Sequence, residues 1–99
     1  MMDWYQAMSA TKPPPGHFTI LYFAAAASYT SKSFDHIAAP LPVTELFKTL
    51  EQKYPGMKAK VLESCAVTIN LDYVDVEDES DKTIQTGDEV AIIPPVSSG

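Results

Sequence analysis

One stretch of this sequence carries a sustained helical period, and it limits the folds open to the chain. Val43, Leu46, Phe47, Leu50 and Tyr54 recur at three- and four-residue spacing and line one apolar face. Glu45, Lys48, Glu51 and Lys53 fill the rest of the turn. Thr44 is a candidate cap, and Pro55-Gly56 stops the helix. The other patterned segments have a period of two. Phe18, Ile20 and Tyr22 alternate with Thr19 and Leu21, predicting a strand over 17–23. Residues 33–37 predict a second strand, and 24–31 an Ala-rich loop or single helical turn. Val67, Ile69, Leu71 and Tyr73 alternate with Thr68, Asn70 and Asp72, predicting one half-buried strand. Residues 57–64 suggest a short helix, 82–84 a short strand, 86–88 a turn and 89–93 the final strand.

One amphipathic helix can cover one face of one sheet. The order strand, strand, helix, strand, short strand, strand therefore predicts an α+β protein, a β-grasp (ubiquitin-like) fold with a mixed sheet and one main helix. With 99 residues, one domain is expected. A chain of this length buries only about 60–65% of its unfolded surface, enough for one core but not for a deep enclosed active site. The expected organisation is a flexible N-terminal leader over residues 1–16, a β-grasp domain over 17–93 and a projecting tail over 94–99.

Composition narrows the function. The formal charge is −6, and every basic residue is lysine. Without arginine the bidentate phosphate clamp is missing, and nucleic acid repels the net charge, so a protein partner is expected. No apolar run is long enough for a membrane span. The leader lacks the features of a secretion signal or presequence. The lone Cys65 cannot form an internal disulfide, which suits a cytoplasmic setting. Cys65 has no basic neighbour to activate it and reads as structural. His17 and His36 show no metal-site spacing, and no metal is expected. The acidic residues Asp72, Asp75, Glu77, Asp78, Glu79 and Asp81 lack EF-hand spacing and read as a solvated loop that could steer a basic partner.

The C-terminal segment GDEVAIIPPVSSG is the most informative. Val90–Ile93 reads as the central strand. Pro94 and Pro95 then end it, because proline donates no ladder hydrogen bond and two prolines favour a stiff extended path. Val96, Ser97, Ser98 and Gly99 are slim, and from Pro94 the chain can reach roughly 18–20 Å. Such a tail could thread a narrow tunnel and present the Gly99 carboxylate at its tip. Small polar residues also produce a frayed end, and composition alone leaves both readings open.

GDEVAIIPPV followed by a short tail ending in glycine resembles the C-terminus of molybdopterin synthase small subunits. Leu21-Tyr22-Phe23-Ala24 resembles that family's first strand and turn. The helix over 43–54 and the residues Ile69-Asn70 and Tyr73-Val74 fall where the family has its main helix and following strand. The resemblance spans residues 18–99. It implies a sulfur carrier for molybdenum cofactor biosynthesis, a non-catalytic donor subunit whose active site lies mainly on the large subunit. The resemblance also implies that an E1-like enzyme uses ATP to adenylate Gly99 and that a sulfur donor converts the adenylate to a thiocarboxylate. The tail then enters the large subunit and gives sulfur to cyclic pyranopterin monophosphate. The implied assembly is a heterotetramer of two small subunits flanking two large ones. The family usually ends in two glycines, whereas here the penultimate residue is Ser98. Phe23, Tyr73 and Ile92 lie near the emerging tail in a β-grasp layout and could be core or partner interface. The alternatives are a carrier for thiamine synthesis or tRNA thiolation, a ubiquitin-like modifier, or an interaction domain with an inert tail.

Overall fold

A computed structural model describes residues 12–76 and 81–95. Strand β1 (His17–Tyr22) is followed by helix α1 (Ala25–Thr30) and strand β2 (Phe34–Ala38). A two-residue strand β3 (Leu41–Pro42) leads through a 3-10 turn (Val43–Glu45) into the main helix α2 (Leu46–Lys53). A short helix α3 (Met57–Lys60) and a second 3-10 turn (Leu62–Ser64) follow. Strands β4 (Ala66–Ile69), β5 (Asp72–Val74), β6 (Thr83–Ile84) and β7 (Glu89–Ile93) complete the described chain.

Five strands form one sheet in the order β2-β1-β7-β4-β5, while β3 and β6 pair separately. The β1–β7 pair is parallel and the other pairs are antiparallel, so the sheet is mixed. This is the expected β-grasp arrangement, with β7 at the centre.

The described helices pack on one face of the sheet. Val43, Leu46, Leu50 and Met57 are fully buried against Phe18, Ile20, Val90 and Ile92. Burying each such aliphatic side chain stabilises the fold by about 1.5–3 kcal/mol. Phe47 and Tyr54 border this core, as their flanking places on the helical wheel require. Glu51 reaches past the helix end and accepts hydrogen bonds from the amides of Gly56 and Lys58, each at 2.8 Å. Its carboxylate thereby satisfies donors at the start of α3. Gly56 has φ 92°, and a Cβ there would sit 2.5 Å from the Tyr29 hydroxyl oxygen.

Four expectations are corrected. Thr44 does not cap the main helix: it lies inside the preceding 3-10 turn, and no side chain caps either element. The Ala-rich segment is a six-residue α-helix, whose Thr30 hydroxyl donates to the Ala26 carbonyl at 3.0 Å. The strand expected through Val67–Tyr73 is a hairpin. Asn70 (φ 51°) and Leu71 (φ 74°) turn the chain in the left-handed region, and Ile69 pairs with Asp72. Residue pairs in this ladder join odd with even positions, so Tyr73 stands on the face opposite Val67 and Ile69. Ile92, the fourth, is core rather than surface, because alternation along β7 turns Val90 and Ile92 towards the helices.

Candidate functional site: the sheet face and the emerging tail

The sheet face away from the helices is covered by no described helix. Strand register lays a row of side chains across it: Phe34, Leu21, Ala91, Thr68 and Tyr73, one from each of the five strands. Phe23 and Ile93 pack against Leu21 and Ala91 to make a small apolar cluster. Phe23 extends the β1–β7 ladder by donating its amide to the Ile92 carbonyl at 3.3 Å. Phe34 and Tyr73, 37% and 74% exposed, close the row at the two sheet edges. Phe23 and Tyr73 are thus brought to one face, while Ile92 is not. Sequence reasoning missed Ile93, Leu21 and Phe34. The signal lay in the Ala91/Ile93 alternation, since a strand buried on its Val90/Ile92 side must present Ala91 and Ile93 on the other.

Strand β7 carries this face directly to the tail. Pro94 is buried and Pro95 exposed, and both lie beyond the ladder. Val96, Ser97, Ser98 and Gly99 lie outside the described residues. Residues 86–88 make the expected turn, with Gly87 at φ 86°, and the Gly87 amide donates to the His17 carbonyl at 2.9 Å. That bond fixes where β7 starts beside β1. The Asn70 side chain braces the same corner: its carbonyl oxygen accepts from the Glu89 amide at 3.0 Å and its amide donates to Asp88 at 3.1 Å.

Cys65 is half-buried in an open groove of about 520 Å³ whose walls include Phe47, Leu62, Tyr73 and Val76. Its thiol donates to the Val61 carbonyl at 2.9 Å, and burial pushes its pKa up to about 11. A thiol so poised is protonated at neutral pH and is a poor nucleophile. His17 Nδ1 lies 3.0 Å from the Pro15 carbonyl, and His36 Nε2 is buried with no hydrogen-bond partner among the described residues. Among the described residues no group of three His, Cys, Asp or Glu side chains could hold a metal ion. No described helix is long and apolar enough to cross a membrane. Of the acidic loop, Asp72 closes the β4–β5 hairpin, while residues 77–80 lie outside the described residues.

The ThiS family model matches residues 20–99, from the second half of β1 to the end of the chain. The chain is 55% identical over 96 residues to the molybdopterin synthase sulfur carrier subunit of Phaeosphaeria nodorum, covering 93% of this chain and all of that one. Among solved structures it is similar to SAMP1 from Haloferax volcanii, with a TM-score of 0.70, 20% identity and coverage of 85% of this chain and 100% of that one. It is also similar to a chain in the complex of subunits 1 and 2 of molybdopterin-converting factor from Helicobacter pylori. There the TM-score is 0.60, the identity 23% and the coverage 84% of this chain and 99% of that one. These two likenesses carry the β-grasp fold alone. The family match across the sheet and tail, together with identity over a whole curated relative, shows that the chain belongs to the ThiS family, among its molybdopterin synthase sulfur carrier subunits.

Proposed function

We propose that this chain is the sulfur carrier of a molybdopterin synthase and that Gly99 is the residue that carries the sulfur. The observation that supports this most is the 55% identity to a sulfur carrier subunit along that relative's full length. The carboxylate of Gly99 is a weak electrophile. Attack of its oxygen on the α-phosphorus of ATP, with loss of pyrophosphate, gives a glycyl adenylate. Hydrosulfide released by a donor enzyme then attacks the acyl carbon, expels AMP and, after losing its proton, leaves a thiocarboxylate. ATP belongs to the E1-like activating enzyme, and this chain contributes the acceptor. The loaded tail donates its sulfur to cyclic pyranopterin monophosphate in the large subunit, and two such transfers build the dithiolene.

The geometry suits this division of labour. A rigid central strand ends at Pro94-Pro95, so the tail is stiff where it leaves the sheet. The apolar cluster of Phe23, Leu21, Ala91 and Ile93 adjoins that exit and can seat the large subunit beside it. That the relative from Helicobacter pylori was solved as a complex of two subunits supports a two-subunit assembly here. We further propose a heterotetramer with the large subunits at its centre, acting in the cytoplasm. The test is reconstitution with the large subunit, the E1-like enzyme, ATP and a sulfur donor. Molybdopterin should form from cyclic pyranopterin monophosphate only when this chain is present. Product formed equally well by the chain lacking Gly99 would sink the proposal.

A further inference from the structure

The groove that holds Cys65 opens beside the end of the central strand. Register sets Ala66 opposite Ile93 on the β4–β7 ladder and Val67 opposite Val74 on the β4–β5 ladder. Antiparallel partners stand about 5 Å apart, so the groove lies within roughly 10 Å of the point where β7 ends. It also spans the sheet edge. Val67 and Val74 belong to the core on the helical side, whereas Tyr73 stands on the open face and still lines the groove. Strand β5 is the edge strand, and no described strand pairs with its outer side. Leu71 and Tyr73, two of the three large apolar side chains exposed among the described residues, sit on this same hairpin.

The lining suits an anchored side chain better than a free ligand. Phe47, Leu62, Val67, Val74 and Val76 form its walls, and each belongs to the core or packs against it. A small ligand is oriented by convergent polar groups. Here the Cys65 thiol is already engaged by the Val61 carbonyl, and the carboxylates at the rim, Glu63 and Asp75, belong to exposed residues. An apolar side chain held by its own protein needs no such orientation. The described lining residues include those two acids and no base, in a chain of net charge −6. A lysine or arginine next to the incoming side chain therefore complements the rim.

We propose that this groove receives an apolar side chain of the large subunit, flanked there by lysine or arginine, while the open sheet face takes the rest of the contact. Contacts on both sides of the sheet edge fix the orientation of β7 and the start of the tail against the partner. A single flat face would leave that orientation free to rotate. The proposal rests on the carrier reading, which supplies the large subunit as the partner.

Cys65 is the chain's one cysteine and reports from inside the groove. Its alkylation by iodoacetamide at alkaline pH, read from the mass of the peptide that carries it, should slow severalfold when the large subunit is in excess. Glu63→Lys should weaken binding severalfold and leave the thermal melt near that of the parent. Cys65→Phe fills the groove and should weaken binding severalfold as well. If that variant unfolds, the alkylation rates and Glu63→Lys decide. Equal alkylation of Cys65 in the free chain and in the saturated complex would overturn the groove as an anchor point and leave the carrier reading standing. Parent-like affinity in both folded variants would overturn it in the same way. Failure of the parent chain to bind the large subunit at all would overturn this proposal together with the carrier reading.

Discussion

Three side chains converge on Asp35. The Tyr22 hydroxyl donates to it at 2.9 Å, the Tyr54 hydroxyl donates to the same oxygen, and Lys32 Nζ lies 3.1 Å from the other oxygen. The carboxylate thus ties β2 to β1 and to the end of α2. Burial alone would push its pKa up, but the hydrogen bonds from Tyr54, Tyr22 and Lys32 outweigh burial and hold it below its ordinary value of 3.8. A depressed carboxylate stabilises the fold above its unfolded pKa, and that contribution fades as pH falls through the folded one. Asp35→Asn should therefore cost about 1.5–3 kcal/mol at neutral pH, the worth of hydrogen bonds to a charged group. The gap between denaturant melts of the two proteins should start to narrow as the pH falls below about 4, where the unfolded carboxylate takes up its proton. It should close at lower pH as the native carboxylate follows. A gap that stays constant down to pH 2 would show that the charge contributes nothing. Cys65 gives a second test at this scale. With its pKa near 11, thiol labelling should be slow at pH 7 and should accelerate steadily as the pH is raised. Cys65→Ala should leave sulfur loading of the tail intact, and loss of loading in that variant would make the thiol a relay.

Strands β4, β5 and β7 show what periodicity conveys and what it hides. The main helix and β7 were legible because their apolar spacing is unbroken and proline or glycine ends each one. The β4–β5 hairpin was not legible: the alternation Val67, Ile69, Leu71, Tyr73 runs unbroken through a two-residue turn that reverses the chain and inverts its facing. The β3–β6 ladder of two residues per strand is too short to leave any period. At the candidate site the same parity decides the roles of two neighbouring isoleucines. Ile92 is fully buried among core residues, so Ile92→Ala should cost about 2–5 kcal/mol of stability. Ile93→Asp should leave the melt nearly unchanged and weaken binding to the large subunit strongly, since an unpaired charge in an apolar contact is costly. Melts and binding titrations of the two variants check both outcomes, and the reverse pattern would show that the faces are misassigned. Leu71 sits 60% exposed at φ 74°, where a side chain is strained. Leu71→Gly should stabilise the hairpin by up to about 1 kcal/mol, the penalty of the left-handed region less the extra freedom of glycine in the unfolded chain.

The described residues make one sheet with helices on one face, and its central strand ends just before Pro94. Such an object has little room for an active site of its own, and the proposed function places the chemistry at the end of the chain. The last described strand ends at Ile93, five residues before Ser98, so changes at Ser98 should alter stability by no more than roughly 0.5 kcal/mol. Ser98→Gly should leave the melt unchanged and speed activation, because glycine relaxes the backbone limits that serine imposes. A bulky side chain at Ser98 should block transfer while the fold survives. The residues that would carry this chemistry were readable from the motif GDEVAIIPPV and the terminal glycine, not from any shape, since Val96–Gly99 fall outside the described residues. The most direct measurement is the intact mass of the full chain after incubation with the E1-like enzyme, ATP and a sulfur donor, followed by mapping of the tail peptide. The account predicts a gain of one sulfur-for-oxygen exchange, confined to the peptide ending in Gly99 and absent when Gly99 is deleted. An unchanged mass, or sulfur found on Cys65 instead, would contradict it.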